Sequence, residues 1–247
     1  MTYKAEKIVP YHSQERKTVQ VEHMFDDIST NYDVLNHTLS MGIDYSWRRK
    51  GILALKNINP QLILDIATGT GDLAIRACEL LEPKQITGID ISEGMMRIGK
   101  EKVSQKGLTN KILFEKQDCA NLTFHDNSFD AAMVAFGIRN FENLDKALQE
   151  IVRVLKPSGK LMILELSTPV FFPMKQLYTL YSKIIIPGIG RLISKNKAAY
   201  RYLPKTVAAF PQGAEMVKIL QKNGFANAIC KRYTMGICSM YLAQKGA

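Results

Sequence analysis

The sequence predicts an α/β fold, a doubly wound and mostly parallel sheet with helices on both faces. Three observations predict it. Between residues 62 and 166, short apolar runs alternate with amphipathic stretches of helical length, the pattern of successive βαβ units. The first run leads into TGTGDLA (68–74), where Gly69, Gly71 and Ala74 fit the G-x-G-x-x-G/A turn that opens a nucleotide-binding crossover. Two further strand-like runs close the chain and suit antiparallel pairing at one sheet edge.

The elements follow in order. Residues 1 to about 18 are polar, interrupted by Pro10, and are expected to fray. From Val19 to Leu55 the pattern is helical, with turn signals near Asn31 and Gly42 and the only tryptophan, Trp47. The strand-like runs are LILDI (62–66), QITGID (85–90), ILFEKQD (112–118), FDAAMVAF (129–136) and KLMILEL (160–166). Helices are predicted near 71–82, 92–106 and 143–155. After Ser167 the alternation stops, and Pro169, Pro173, Pro187 and Pro204 punctuate residues 168–210 into short helices. A helix near 212–223 then precedes FANAICKRY and GICSMYLAQ. This divides the chain into an N-terminal helical lid or extension (1–60) and a sheet domain (61–247), with a helical lid inserted at about 168–210.

At 247 residues the chain suits one such domain with additions and is short for two. Hydrophobic residues at 46% and charged residues at 23% imply a sizeable core. Cys78, Cys119, Cys230 and Cys238 form no C-x-x-C pair, so neither a disulfide framework nor a metal site is expected, and a reducing cytoplasm is. No signal-peptide core occurs and no apolar run is long enough to span a bilayer. The net charge of +10 suits nucleic acid, an anionic membrane surface or a generic solvated surface, and charge alone does not choose a partner.

The acids around the glycine turn discriminate between ligands. Asp65 and Asp72 flank it. A pyrophosphate at that helix N-terminus would meet two like charges, each repelling by roughly 4 kcal/mol at 4 Å and an effective dielectric of 20. A cationic ligand reverses the sign. S-adenosylmethionine carries a sulfonium and an ammonium, so Asp65, Gly69, Thr70, Gly71 and Asp72 read as a cradle for its methionine end. Asp90, ending the second strand, can accept both ribose hydroxyls. Asp118 can accept from the adenine amino group, with the backbone N–H of Cys119 donating to the ring. The plain alternative is that each aspartate caps a helix or turn, but four of them surround one glycine turn.

Two long stretches then carry a family resemblance. YDVLNHTLSMGIDYSW (32–47) resembles the signature Y-D-x-M-N-x-x-[LIVM]-S-x-x-x-H-x-x-W of the class I C-methyltransferases of ubiquinone and menaquinone biosynthesis. RVLKPSGKLMILELS (153–167) resembles the second signature, R-V-[LIVM]-K-[PV]-G-G-x-[LIVMF]-x-x-[LIVM]-E-x-S. FGIRN (136–140) and YRYLPKTVAAFP (200–211) are also similar to the family, so the likeness spans about 20–245. Leu35 replaces the usual Met, Ser158 replaces a turn glycine, and Asp44 stands where the family has His.

The resemblance implies a Rossmann-like sheet of seven strands. It also implies S-adenosylmethionine-dependent methylation of a ring carbon on a polyprenylated quinol, with demethylmenaquinol preferred over the ubiquinone-pathway benzoquinol. No metal is expected. Arg139 is the candidate for stabilising a quinolate oxygen, against a structural alternative in which it pairs with Glu142. Asn140 is the candidate for orienting the hydroxyl or a water. Tyr32, Asp33, Asn36, Tyr200 and Arg201 are lid candidates, and the role of Asp44 is left unassigned. The apolar and basic segment 178–197, with Lys183, Arg191, Lys195 and Lys197, suits peripheral contact with an anionic membrane at the cytoplasmic face. Oligomeric state, including a homodimer, is open. An RNA methyltransferase fits the charge, but FGIR replaces the Asn/Asp-Pro-Pro-aromatic turn of base-amine chemistry. A silent scaffold that only binds S-adenosylmethionine is the third reading.

Overall fold

The computed structural model describes residues 2–11, 13–185, 188 and 196–246. Three helices come first: α1 (Lys17–Ile28), α2 (Tyr32–Leu39) and α3 (Ile43–Leu53). The alternating region follows as β1 (Leu62–Ile66), α4 (Asp72–Leu81), β2 (Gln85–Asp90), α5 (Glu93–Gln105), β3 (Ile112–Lys116), β4 (Phe129–Ala135), α6 (Leu144–Val154) and β5 (Leu155–Leu166). The chain ends with α7 (Met174–Leu180), α8 (Lys197–Ala209), α9 (Ala214–Lys222), β6 (Phe225–Tyr233) and β7 (Cys238–Lys245).

The seven strands lie in the order β3-β2-β1-β4-β5-β7-β6. β1 to β5 pair in parallel, and only β7 runs antiparallel, to β5 and β6. Strand order reverses between β1 and β4, so a crevice opens at their carboxyl ends. Helices cover both faces, which is why the strands read as near-continuous apolar runs. Leu64, Ile66, Val134 and Ile163 face a core shared with α6 and α9. Their neighbours Ile63, Met133, Met162 and Leu164 face a second core with α3 and α4.

α6 shows why the helices hold. Leu144, Ala147, Leu148, Ile151 and Val154 recur at helical spacing and are all buried, each large side chain contributing about 1.5–3 kcal/mol. The Asn143 side chain caps its first turn by accepting from the Lys146 N–H at 2.9 Å.

Two expectations are corrected. The N-terminus is tied down: Tyr3 Oη donates to Asp145 (2.8 Å), Glu6 accepts from the Leu144 N–H (2.7 Å), and Lys17 Nζ donates to the Ala5 carbonyl (2.8 Å). These polar residues anchor to α6 where the composition predicts fraying. Pro204 does not punctuate; it lies inside the 13-residue α8. The neighbouring Thr206 hydroxyl donates to the Tyr202 and Leu203 carbonyls, and burial of Tyr200, Tyr202 and Val207 on this helix outweighs the roughly 3 kcal/mol cost of an interior proline. Arg191 and Lys195 lie outside the described residues, as do the side chains of Lys183 and Lys197. No described helix is long and apolar enough to cross a membrane.

Candidate active site

At the carboxyl ends of β1, β2 and β4 lies a cavity of about 630 Å³ lined by Ile66, Ala67, Gly69, Asp90, Met95, Asp118, Cys119, Phe136 and Asn140, among others. The strand-end turns are tight by construction. Gly69 takes φ +55°, and a Cβ there would meet Met95 Cε at 3.3 Å; a Cβ on Gly137 would fall 2.5 Å from Ala67 Cβ. Asp90 fixes the glycine turn by accepting from the N–H groups of Gly69 (2.8 Å) and Ser92 (2.9 Å). Burial nevertheless raises its carboxyl to about 6.

Asp65 is buried just behind this turn. Its Oδ2 accepts from the Thr68 hydroxyl at 2.6 Å, while its Oδ1 is buried with no hydrogen-bond partner. Burial pushes this carboxyl up to about 7. An orphaned carboxylate oxygen is what an ammonium group would complete. Asp118 keeps one oxygen on the Ala120 N–H (2.9 Å) and lines the cavity beside Cys119. The donor set therefore fits S-adenosylmethionine.

The methionine-end cradle read from the sequence is corrected in part. Asp65, Thr70, Gly71 and Asp72 do not line the cavity, and only Gly69 of the cradle does. The helix that begins at Asp72 carries its carboxylate outward, onto Lys102 Nζ (2.7 Å) and towards His37 Nε2 (3.4 Å). Thr70 donates to Asp33 at 2.6 Å. Gly71 is required by its φ of +78° and by the Phe114 ring, which would lie 3.0 Å from any Cβ placed there. Asp33 likewise ties α2 to this turn through Thr70 and Lys102 and does not line either cavity. At the cavity wall the electrostatic case for a cation thus rests on Asp90 and Asp118, with Asp65 buried behind the turn. The cationic Arg16 at this cavity is itself paired with Glu142, at 3.2 Å.

A second, smaller pocket of about 130 Å³ adjoins the first and shares Phe25, Tyr32, Phe136 and Asn140 with it. Its walls are apolar and aromatic, including Met24, Ile28, Trp47, Tyr178 and Leu203. α1 and α8 pack together beside it through a small core of Val21, Met24, Tyr200 and Tyr202, with Tyr32 and Leu39 of α2 against that core. Of the sequence candidates, Tyr32, Asn36, Arg139, Asn140 and Tyr200 line it, as does Asp44. Arg201 is exposed and does not.

The polar groups facing this pocket are unusually short of partners. Both amide atoms of Asn140, Arg139 Nε and the Tyr202 hydroxyl are buried without a hydrogen bond, a condition that marks sites awaiting a polar ligand. Arg139 does not pair with Glu142, which instead accepts from Thr18 and Arg16. It pairs with Glu165 at 2.7 Å. Sequence reasoning alone passes over Glu165, Tyr202, His37 and Arg48. Glu165 had a signal, because it occupies the glutamate position of the second signature, and Tyr202 lies two residues beyond Tyr200. Arg48, stacked over Phe136 at 5.1 Å, had none beyond its place after Trp47.

Comparisons with known proteins agree with this geometry. Residues 12–245 match the ubiE/COQ5 methyltransferase family. A demethylmenaquinone methyltransferase of Bacteroides fragilis is 58% identical over 99% of this chain and 100% of its own length. A ubiquinone/menaquinone biosynthesis C-methyltransferase of Geotalea daltonii is 41% identical over 93% of this chain and 97% of its own. Among solved structures, a SAM-dependent methyltransferase from Thermotoga maritima gives a TM-score of 0.61 at 19% identity, covering 91% of this chain and 99% of that one. At that identity the likeness speaks for the fold alone.

Proposed function

The chain belongs to the ubiE/COQ5 methyltransferase family, and from that premise we propose that it methylates a ring carbon of demethylmenaquinol with S-adenosylmethionine, forming menaquinol. One observation carries the reading. A cavity with an acidic donor set opens into an aromatic pocket, and Tyr32, Phe136 and Asn140 stand at the junction.

When bound, S-adenosylmethionine supplies an electrophilic sulfonium methyl. Asp65 would hold its methionine end, Asp90 its ribose hydroxyls and Asp118 its adenine amino group. The remaining work falls to the acceptor pocket. Phe25, Trp47 and Phe136 offer flat apolar surface to a quinol ring and exclude water from it. Loss of a quinol hydroxyl proton pushes charge onto the adjacent ring carbon, which makes that carbon nucleophilic. The Arg139 guanidinium favours the resulting oxyanion, and Asn140 can accept from one quinol hydroxyl or donate to the other oxygen. Placing both partners at one junction supplies orientation.

The apolar content of residues 170–184 supports peripheral membrane contact. Val170, Phe171, Phe172, Leu177, Leu180 and Ile184 are all exposed, while Tyr178 and Tyr181 from the same stretch line the acceptor pocket. A segment with one side on the pocket and an apolar side outward suits delivery of a prenylated quinol from a bilayer.

The test is methyl transfer from labelled S-adenosylmethionine to chemically reduced demethylmenaquinol, with 2-methoxy-6-polyprenyl-1,4-benzoquinol and RNA as parallel acceptors. Label in the naphthoquinol is expected. Label only in the benzoquinol would move the enzyme to ubiquinone synthesis. Label only in RNA, or in no acceptor despite tight donor binding, would overturn the reading.

A further inference from the structure

Methylation of a quinol carbon must release a proton. The ring carbon forms a bond to the methyl group, the methyl–sulfur electron pair stays on sulfur, and the hydrogen displaced from the ring leaves as H⁺. The acceptor pocket is walled mainly by apolar and aromatic side chains, so polar groups at its edge are needed to carry that proton away. We infer that Asp44, His37 and Asp72 form this route, with His37 as the proton carrier. The inference rests on the quinol reading above.

The geometry is a continuous line from pocket to surface. Asp44, only 3% exposed, lines the acceptor pocket together with Asn36 and Ser40. Its Oδ1 accepts from the Ser40 hydroxyl at 2.6 Å, and its Oδ2 lies 3.0 Å from His37 Nδ1. The other ring nitrogen, His37 Nε2, lies 3.4 Å from Asp72 Oδ2. Asp72 contacts Lys102, whose side chain is 27% exposed, so the line ends at solvent. Tyr45 stacks on the imidazole at 4.4 Å and fixes its plane.

The charged groups around His37 come from four elements. α2 presents Asp33, α3 presents Asp44 and Arg48, the β1–α4 turn leads to Asp72, and α5 presents Lys102. With three carboxylates against one guanidinium and one ammonium, a protonated His37 brings the cluster to neutrality. Imidazole is also the side chain that exchanges protons readily near neutral pH. His37 does not line the pocket, so it acts through Asp44 as a positioning and relay residue.

The experiment is single-turnover methyl transfer at saturating donor and quinol, with proton release followed by a pH indicator. His37→Gln keeps hydrogen-bonding groups between the two carboxylates but cannot carry a proton. It is expected to slow methyl transfer about tenfold or more, while S-adenosylhomocysteine affinity changes by less than about twofold. His37→Ala opens a partly exposed cavity, and imidazoles of graded basicity are expected to restore its rate in proportion to their basicity. Wild-type rates in His37→Gln, or rescue of His37→Ala that is independent of azole basicity, would overturn the relay. Failure of the wild-type enzyme to methylate the quinol at all would instead refute the function on which the relay depends.

Discussion

Arg139 donates from Nη1 to Glu165 Oε1 at 2.7 Å, with the two side chains only 8% and 1% exposed. The pair joins the turn after β4 to the end of β5, and Glu165 also accepts from the Arg139 and Leu166 N–H groups. The carboxylate next to it holds the guanidinium further towards its charged form. Glu165→Gln leaves a buried cation without a counter-ion and is expected to lower stability by about 3 kcal/mol, read from urea unfolding. Arg139→Ala is expected to lose about a hundredfold in turnover while retaining S-adenosylmethionine binding by calorimetry, because Arg139 lines only the acceptor pocket. Unchanged turnover would remove Arg139 from the mechanism.

Asn140 holds two unsatisfied amide atoms in the folded protein, so its desolvation cost is already present before any ligand binds. Asn140→Ala is expected to leave the melting temperature within about 2 °C and to reduce kcat by about tenfold or more. A large fall in stability with normal turnover would make Asn140 a structural residue.

Asp65 gives the protein a pH signature. Its folded carboxyl is raised to about 7 by burial, above the ordinary value near 4. Between those values the unfolded chain is ionised while the folded one keeps the proton, so stability falls as pH rises and levels off above about 7. Asp65→Asn is therefore expected to be more stable than wild type by about 4 kcal/mol at pH 8, with the difference vanishing near pH 4. Binding of a cationic methionine end needs the carboxylate, so wild-type donor affinity is expected to fall as pH drops below about 7. Asp65→Asn should bind weakly throughout with a flatter profile. Calorimetric titrations from about pH 5.5 to about 8.5 decide it.

Ser158 is exposed in the irregular start of β5, where its register against β4 shifts, and takes φ +64°, a backbone region that disfavours any side chain; the family signature has glycine there. Ser158→Gly is expected to raise stability by about 1 kcal/mol without altering kcat. Thermal unfolding of the two proteins side by side checks it.

Phe172 is 79% exposed and Phe171 48%, an expensive display for water unless a lipid surface receives it. The double change Phe171→Ser and Phe172→Ser is expected to weaken sedimentation with anionic vesicles by about tenfold, and to leave methylation of a short-chain quinol in detergent unchanged. Equal vesicle binding by both proteins would end the membrane proposal.

The sequence by itself determined the strand and helix succession, because apolar periodicity is a local property that burial on both faces makes strong. It also placed Gly69, Asp90, Asp118 and Cys119 at or just beyond strand ends, and a parallel sheet gathers strand ends into one crevice, where these residues line the larger cavity. Arg139 and Asn140 reach the wall of the neighbouring pocket for the same reason. Only the tertiary structure decided the directions of side chains on helices. Asp72 follows the glycine turn in sequence, yet the helix it opens points it away to Lys102 and His37, so adjacency along the chain misled. It also decided the partners drawn from distant segments, Glu165 for Arg139 and His37 for Asp44, and the anchoring of Tyr3 and Glu6 on α6. Ion pairs and buried hydrogen bonds depend on distance in space, and no spacing along this chain encodes the folding of α2 and α8 over the carboxyl ends of the strands.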